Sequence, residues 1–230
     1  MIARPRGLVI AIDGPSGAGK STVGRALARR LGYTFIDTGA MYRALALKAI
    51  ESGVDSASED ALARLAEEAR IELGDGGSSV RLDGVEVTDR IRSREVSVMA
   101  SRVSVHPRVR GSMVARQREL GRPGGVVLDG RDIGTAVFPD ADVKFYLDAD
   151  PARRAQRRYE ELKSAGASAD LSVIEREIRD RDHADSTRAD SPLTRAADAV
   201  PLDTTLLSPE EVVERMMAAV AAKANGSPTA

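Results

Sequence analysis

The stretch Gly14-Pro15-Ser16-Gly17-Ala18-Gly19-Lys20-Ser21-Thr22 constrains this chain more than any other. It fits G-x-x-x-x-G-K-[ST], and its flanks decide what the pattern means. Leu8-Val9-Ile10-Ala11-Ile12 ahead of it is a continuous apolar run, as a strand buried on both faces of a parallel sheet requires. Behind it, Val23, Ala26, Leu27 and Leu31 recur at helical spacing and make one apolar stripe. Strand, glycine-rich turn and helix together cradle a phosphate, because successive N–H groups and the helix N-terminus present partial positive charge to an anion. In that setting Lys20 reaches β- and γ-phosphates, and the Ser21 hydroxyl is placed to ligate Mg²⁺. The plain alternative is a glycine-rich turn whose lysine is merely solvated.

Bulk properties narrow the class without naming it. The length, 230 residues, is enough for one domain with lobes inserted into it. Lys+Arg 34 and Asp+Glu 35 nearly cancel, so no global charge points to nucleic acid or an anionic membrane. Few of the basic residues are lysine, and arginine is the side chain suited to bidentate phosphate contacts, although a coding bias gives the same count. Cysteine is absent, which excludes disulfides, thiolate metal sites and thiol catalysis. With no long apolar run and no signal-peptide pattern, the chain is expected to be cytoplasmic.

Taken in order, Tyr33–Asp37 is a short β-rich run, and Thr38-Gly39 turns into a helical pattern through Ile50. A second amphipathic pattern covers Asp55–Arg70, and Gly74–Gly77 is a loop. Val80-Arg81-Leu82 and Val85-Glu86-Val87, joined by Asp83-Gly84, form a hairpin signal that belongs to an inserted lobe. Arg90–Arg122 is helical and interrupted near His106-Pro107. Further strands are expected at Val126–Leu128, Val143–Asp148 and Ala199–Asp203, with a highly charged helical stretch at 151–195 that has little to pack against. Ser208-Pro209-Glu210-Glu211 is a capping box for a closing helix, and Lys223–Ala230 reads as a frayed end. The expected fold is α/β, an open five-stranded parallel sheet of the P-loop NTPase type with helices on both faces. Ligands then belong at the carboxyl ends of the strands.

Further candidate residues fall there. Asp129 ends an apolar run and is placed for Mg²⁺, with a turn or N-cap aspartate as the alternative. Arg131 is suited to clamp a phosphate, while Asp132 orients an arginine or a base edge. Thr38, Tyr42 and Arg43 gather a hydroxyl, a phenol and a guanidinium at one helix start, a second anion site. In the charged stretch Arg153/Arg157 and Arg154/Arg158 form two rows at i,i+4, and Arg181, Asp185 and Arg188 share one face. Either these make an arginine-bearing lid over the phosphate loop or they are a solvated surface helix. His106 and His183 lack partners at ligand spacing and read as surface or structural.

Gly14–Lys20, Asp37-Thr38-Gly39-Ala40-Met41-Tyr42-Arg43, Asp129-Gly130-Arg131-Asp132-Ile133-Gly134-Thr135 and Arg181-Asp182-His183-Ala184-Asp185 together resemble the bacterial cytidylate kinases, from about residue 8 to about residue 220. The resemblance implies transfer of the γ-phosphoryl of ATP to CMP or dCMP, with Mg²⁺, by a monomer, the default for that family. It implies one kinase domain over 1–230, an inserted nucleoside-monophosphate lobe with a small antiparallel sheet over about 38–112, and a helical lid over about 151–190. It puts ATP on Gly14, Pro15, Ser16, Gly17, Ala18, Gly19, Lys20, Ser21 and Thr22, and Mg²⁺ on Ser21 and Asp129. It puts the acceptor phosphate on Thr38, Tyr42, Arg43 and Arg131, and the cytosine on Ser101, Arg110, Asp132 and Arg188. Arg181 and Asp185 face the ribose and neighbouring phosphate. Lys20, Arg131, Arg181 and a lid arginine, one or more of Arg154, Arg157 and Arg158, meet the transferring group. Some family members carry glycine where Ser21 stands. The nearest alternatives are an adenylate or shikimate type of kinase, or a protein using ATP only as a switch; Asp129-Gly130-Arg131-Asp132 departs from the Asp-Gly-Phe-Pro-Arg usual in adenylate kinases.

Overall fold

The computed structural model describes residues 7–164, 166 and 168–224. The first apolar run becomes β1 (Val9–Asp13), and α1 (Lys20–Leu31) starts where the glycine loop ends. β2 (Thr34–Asp37) leads directly into α2 (Thr38–Glu51), because the Asp37 carboxylate caps the helix by accepting from the Ala40 N–H at 2.7 Å. Then come α3 (Glu59–Glu68) and three short strands, β3 (Ile71–Leu73), β4 (Val80–Leu82) and β5 (Val85–Glu86). α4 (Arg94–Val103) and α5 (Pro107–Gly121) are separate helices, since Pro107 has no N–H to continue the first and suits the first turn of the second. β6 (Val126–Gly130) and β7 (Val143–Asp148) return to the main sheet. α6 (Pro151–Ser164) and α7 (Leu171–Thr187) precede β8 (Val200–Asp203) and α8 (Pro209–Ala224).

The main sheet runs β2-β6-β1-β7-β8, and every neighbouring pair in it is parallel. Alternation within β1 divides the core between two faces. Ile10 and Ile12 join Val127, Phe145 and Leu147 against Leu27 of α1 and Met216 of α8. Val9 and Ala11 join Ile36, Val126 and Leu128 on the other face, under Ile133, Val137 and Phe138. Each strand brings an aspartate to the carboxyl edge: Asp13, Asp37, Asp129, Asp148 and Asp203.

Residues of α2–α5 and the small sheet bury a second core around Met41, Leu45, Leu62 and Met113. Its hairpin carries a strand that the sequence pattern does not signal, β3, which pairs antiparallel with β4 through Ile71↔Leu82 and Leu73↔Val80. The charged stretch 151–195 also departs from expectation. Its helices do pack: Ala155 of α6 meets Ile174 and Ile178 of α7, with Tyr159, Leu162 and Leu171 around them. The capping box forms as expected, with Ser208 N–H on Glu211 Oε2 at 2.8 Å and Glu211 N–H on Ser208 Oγ at 3.2 Å. α8 runs through Ala224, so Lys223 is helical; the rest of the expected frayed end lies outside the described residues.

Close approach of the loop to the sheet depends on Gly14. Its φ is +147°, and a Cβ there would lie 1.9 Å from the Leu147 carbonyl oxygen of β7. Gly14→Ala should therefore destabilise the fold by roughly 1–3 kcal/mol, as overpacking against backbone does. Urea unfolding checks this, and an unchanged midpoint would show that the loop relaxes without cost.

Candidate active site

A broad cleft opens over the carboxyl edge of the sheet. The 16–22 loop, the β2–α2 junction, the end of β6 and α7 all line it. On the loop side, α1 begins at Gly19 with φ 88°, without a side-chain cap and without an acidic residue in its first turn. Its first N–H groups are thus left for an external anion. Lys20 is buried and donates from Nζ to the Pro15 carbonyl at 2.7 Å. Burial, and next the Arg131 charge, push its pKa down to about 7, against the pull of Asp129. Gly14 and Pro15 support the loop from behind and do not line the cleft.

Asp129 joins this side to the other. The Ser21 hydroxyl donates to Asp129 Oδ2 at 2.5 Å, and the Thr38 hydroxyl donates to the Asp129 carbonyl at 2.6 Å. Asp129 Oδ1 is buried and has no hydrogen-bond partner in the protein. Burial, and then the Asp37 carboxylate across the strand pair, push its pKa up to about 6. A buried carboxylate oxygen with no donor, beside a serine hydroxyl, suits a divalent cation such as Mg²⁺, which takes one or two protein oxygens and completes its shell with phosphates and water. Among the described residues no cluster of three or more carboxylates, histidines or cysteines offers a closed metal site.

The far side is arginine-rich. Arg43 donates to both oxygens of Asp37, at 3.4 and 3.2 Å, and Arg25 shares Oδ2 at 3.3 Å. Arg131 donates from Nε to Asp185 Oδ2 at 2.7 Å. Burial opposes charge on Asp185, but Arg131 and Arg181 outweigh it and hold its carboxyl below the usual range. Arg181 has its pKa lowered to about 10 by burial and then by Arg131. The Nε atoms of Arg43 and Arg181 are buried without a hydrogen-bond partner in the protein. Burial keeps the Tyr42 phenol protonated by pushing its pKa up to about 12. Deeper in, Arg110 donates from Nη2 to Asp132 Oδ2 at 2.5 Å, and Arg188 approaches Asp132 Oδ1 at 3.4 Å. Ser101, on α4, lines the same end.

The structure thus gathers Thr38, Tyr42, Arg43, Ser101, Arg110, Arg131, Asp132, Arg181, Asp185 and Arg188 in one cleft with Lys20, Ser21 and Asp129. The two arginine rows of the charged stretch do not act alike. Arg154 turns away from the cleft and is buried, donating to the Ala149 and Ser16 carbonyls at 2.9 Å and to Asp182 at 2.5 Å. It braces the phosphate loop from behind and does not face the cleft. Arg157 lines the cleft but donates to the Thr204 carbonyl at 2.5 Å, and Arg158 pairs with Glu161 at 2.8 Å. His106 is structural, its Nε2 bonded to the Ser56 carbonyl at 2.7 Å, and His183 is exposed.

The cytidylate kinase family model matches residues 10–222. The chain belongs to the cytidylate kinase family. The cytidylate kinase of Solibacter usitatus is 52% identical over 212 residues, covering 91% of this chain and 90% of that one. That of Geobacillus kaustophilus is 52% identical over 214 residues, covering 92% and 96%, so the likeness spans nearly the whole chain and not the loop alone.

Three aspartates in or behind this family member's cleft have roles that no motif announces. Asp13 accepts from the Ile133 and Gly134 N–H groups at 2.8 and 2.7 Å, tying β1 to the segment after β6; burial pushes its pKa up to about 6. Asp37 stands inside a quoted motif, yet its hold on Arg25 and Arg43 appears only in three dimensions. Asp182, which accepts from the Ser16 N–H at 3.3 Å, is of the same kind. One available signal is that all five apolar runs end in aspartate.

Asp129 also makes stability depend on pH. Its folded pKa is raised above the unfolded value, so folding favours the protonated form, and that contribution is lost as pH rises through about 6. Asp129→Asn keeps an acceptor for Ser21 and has no charge to desolvate. Between pH 5 and 7.5 the variant should gain on the unliganded wild type by roughly 1–2 kcal/mol. Urea unfolding of both proteins at the two pH values measures this; a constant difference would refute a raised pKa.

Proposed function

We propose that the cleft transfers the γ-phosphoryl of ATP to CMP or dCMP, giving the diphosphate and ADP. The observation that carries this reading is the pairing of two anion sites through one residue. Asp129 takes the Ser21 hydroxyl with its side chain and the Thr38 hydroxyl with its carbonyl, so phosphate loop and β2–α2 junction face each other. A triphosphate donor fits the first and a monophosphate acceptor the second, as membership in the cytidylate kinase family leads one to expect.

On this reading Ser16–Thr22 wrap the donor phosphates with backbone N–H groups. Lys20 leaves the Pro15 carbonyl and regains full charge beside the β- and γ-phosphates, since anions reverse the effect of burial on its pKa. Ser21 and Asp129 would hold Mg²⁺, which when bound neutralises charge on the phosphates and orients them. Arg43 and Arg131 clamp the acceptor phosphate, with the unpartnered Arg43 Nε as one available donor. Thr38 and Tyr42 border it. Arg181, with its own unpartnered Nε, reaches toward the group in transit. Ser101, Arg110, Asp132 and Arg188 read the base, and Asp185 orients Arg131 while facing the ribose. No general base is required, because the acceptor phosphate is already largely ionised at neutral pH. Catalysis is positioning and charge neutralisation in a site from which water is excluded.

We take 38–112 as the acceptor lobe and 151–190 as the lid, with Arg157 and Arg158 the lid arginines that exchange their Thr204 and Glu161 contacts to turn inward. We also read the enzyme as a cytoplasmic monomer acting on small molecules, since one chain supplies both halves of the cleft. No helix among the described residues is long and apolar enough to cross a membrane.

ADP release should be fastest with CMP or dCMP when nucleoside monophosphates are compared at equal concentration. Turnover fastest with AMP, or with none of them, would sink the reading. Lys20→Ala should lower kcat by about 10²–10³, the size seen for losing one preorganised charge or donor at a developing negative centre. An unchanged kcat would remove Lys20 from the mechanism. Asp185→Ala should raise KM for CMP more than KM for ATP, and an equal rise would place Asp185 outside the acceptor half.

A further inference from the structure

We infer that the turn Asp190-Ser191, just beyond α7, is a positioning element for the acceptor base and sets how strictly cytosine is selected. The inference rests on the assignment of Arg110 and Arg188 to that base.

Arg110 is almost completely buried, and two carboxylates from different parts of the chain hold different nitrogens of its guanidinium. Asp132 takes Nη2 at 2.5 Å, and Asp190 takes Nε at 3.1 Å. Burial works against the Arg110 charge, and Tyr42, Asp132 and Asp190 together outweigh it. The other oxygen of Asp190 is engaged too, accepting from the Ser191 hydroxyl at 2.9 Å. Nη1 of Arg110 takes part in neither carboxylate contact.

The same turn holds the second arginine. The Ser191 carbonyl accepts from Arg188 Nε at 2.7 Å. Ser191 has φ 50°, a left-handed conformation that serine adopts only under constraint. Leu193, two residues on, supplies the constraint. Leu193 N–H donates to the Asp185 carbonyl at 2.8 Å, stapling the turn back onto the last turn of α7, and the Leu193 side chain is buried. Arg188 Nη2 remains buried without a hydrogen-bond partner, 3.4 Å from Asp132 Oδ1. One strained turn therefore fixes the Nε of both guanidiniums and leaves donor nitrogens over for a ligand.

Fixed donors discriminate between pyrimidines. Cytosine offers O2 and N3 as acceptors, whereas uracil carries a hydrogen at N3. An arginine unable to turn away leaves a buried donor facing a donor when uracil enters, and such mismatches are costly. If the Arg110 fork is loosened, it can swing aside, cytosine loses a preorganised partner, and uracil loses its penalty. Asp190 is itself partly exposed, so its removal opens no apolar core.

The test is steady-state kinetics of Asp190→Ala and Asp190→Glu with CMP and UMP at saturating ATP and Mg²⁺, alongside thermal unfolding. Asp190→Ala should raise KM for CMP about tenfold and lower the CMP-over-UMP ratio of kcat/KM by about tenfold, the scale of one lost charge-assisted contact. Its kcat at saturating CMP, its KM for ATP and its melting temperature should stay near wild type, and Asp190→Glu should restore part of the selectivity. Unchanged KM for CMP and unchanged selectivity would overturn the positioning role. So would a parallel rise in KM for ATP with a lowered melting temperature, the mark of a structural residue. A wild-type enzyme that prefers a monophosphate other than CMP or dCMP would overturn the cytosine reading itself, a result separable from the behaviour of the variant.

Discussion

Asp37 and Asp129 stand opposite each other on neighbouring parallel strands, so two carboxylates share one buried edge of the sheet. Charge in that position must be partnered or neutralised. Asp37 is partnered, by Arg25, Arg43 and the N–H of Ala40. Asp129 is only half partnered, and burial together with the Asp37 charge raises its pKa. Much else in the cleft follows from that imbalance. Lys20 is buried close by with a lowered pKa, and arginines line the far wall with unpartnered nitrogens. Lys20 donates to the Pro15 carbonyl and Arg157 to the Thr204 carbonyl. On the proposed reading, phosphates and a divalent cation would relieve that imbalance and so offset the desolvation cost of a buried charged cleft.

The fold serves this edge. Parallel pairing delivers every strand to it in the same direction, with β1 buried between β6 and β7. The helices of the insert and of the 151–190 stretch then supply cations from outside the sheet. Their attachments are ionic and cross between elements: Arg131 to Asp185, Arg110 to Asp190, Arg154 to Asp182. Such pairs give direction more than stability, because exposed ones contribute little and buried ones roughly offset their own desolvation. Arg110, Arg131 and the phosphate loop are in this way all tied to α7 or to the turn just beyond it.

Much of the frame is legible in the linear chain. The apolar runs that become β1, β6, β7 and β8, the hairpin at Asp83-Gly84 and the capping box at Ser208 are local patterns, set by residues within a few positions of each other. β3 escapes because three residues carry too short an alternation, and it forms only when β4 is there to pair with. The pairing of α6 with α7 escapes for a related reason. Ala155, Ile174 and Ile178 are thinly spread through charged sequence, and a stripe that narrow has meaning only once the two helices lie together.

The candidate site divides along the same line. The sequence by itself determined the chemistry: a phosphate loop between strand and helix, a hydroxyl and an arginine at a second helix start, an aspartate at a strand end. These depend on backbone geometry and spacing that neighbours dictate. Which charged group meets which was decided only by the tertiary structure. Arg154 and Arg157 are one helical turn apart within a single charged run, yet one braces Ser16 from behind and the other faces the cleft at Thr204. Arg110 and Asp190 are separated by 80 positions, and Arg131 and Asp185 by 54. Coulomb interactions act through space and in proportion to burial, and neither distance nor burial is written into the order of the residues.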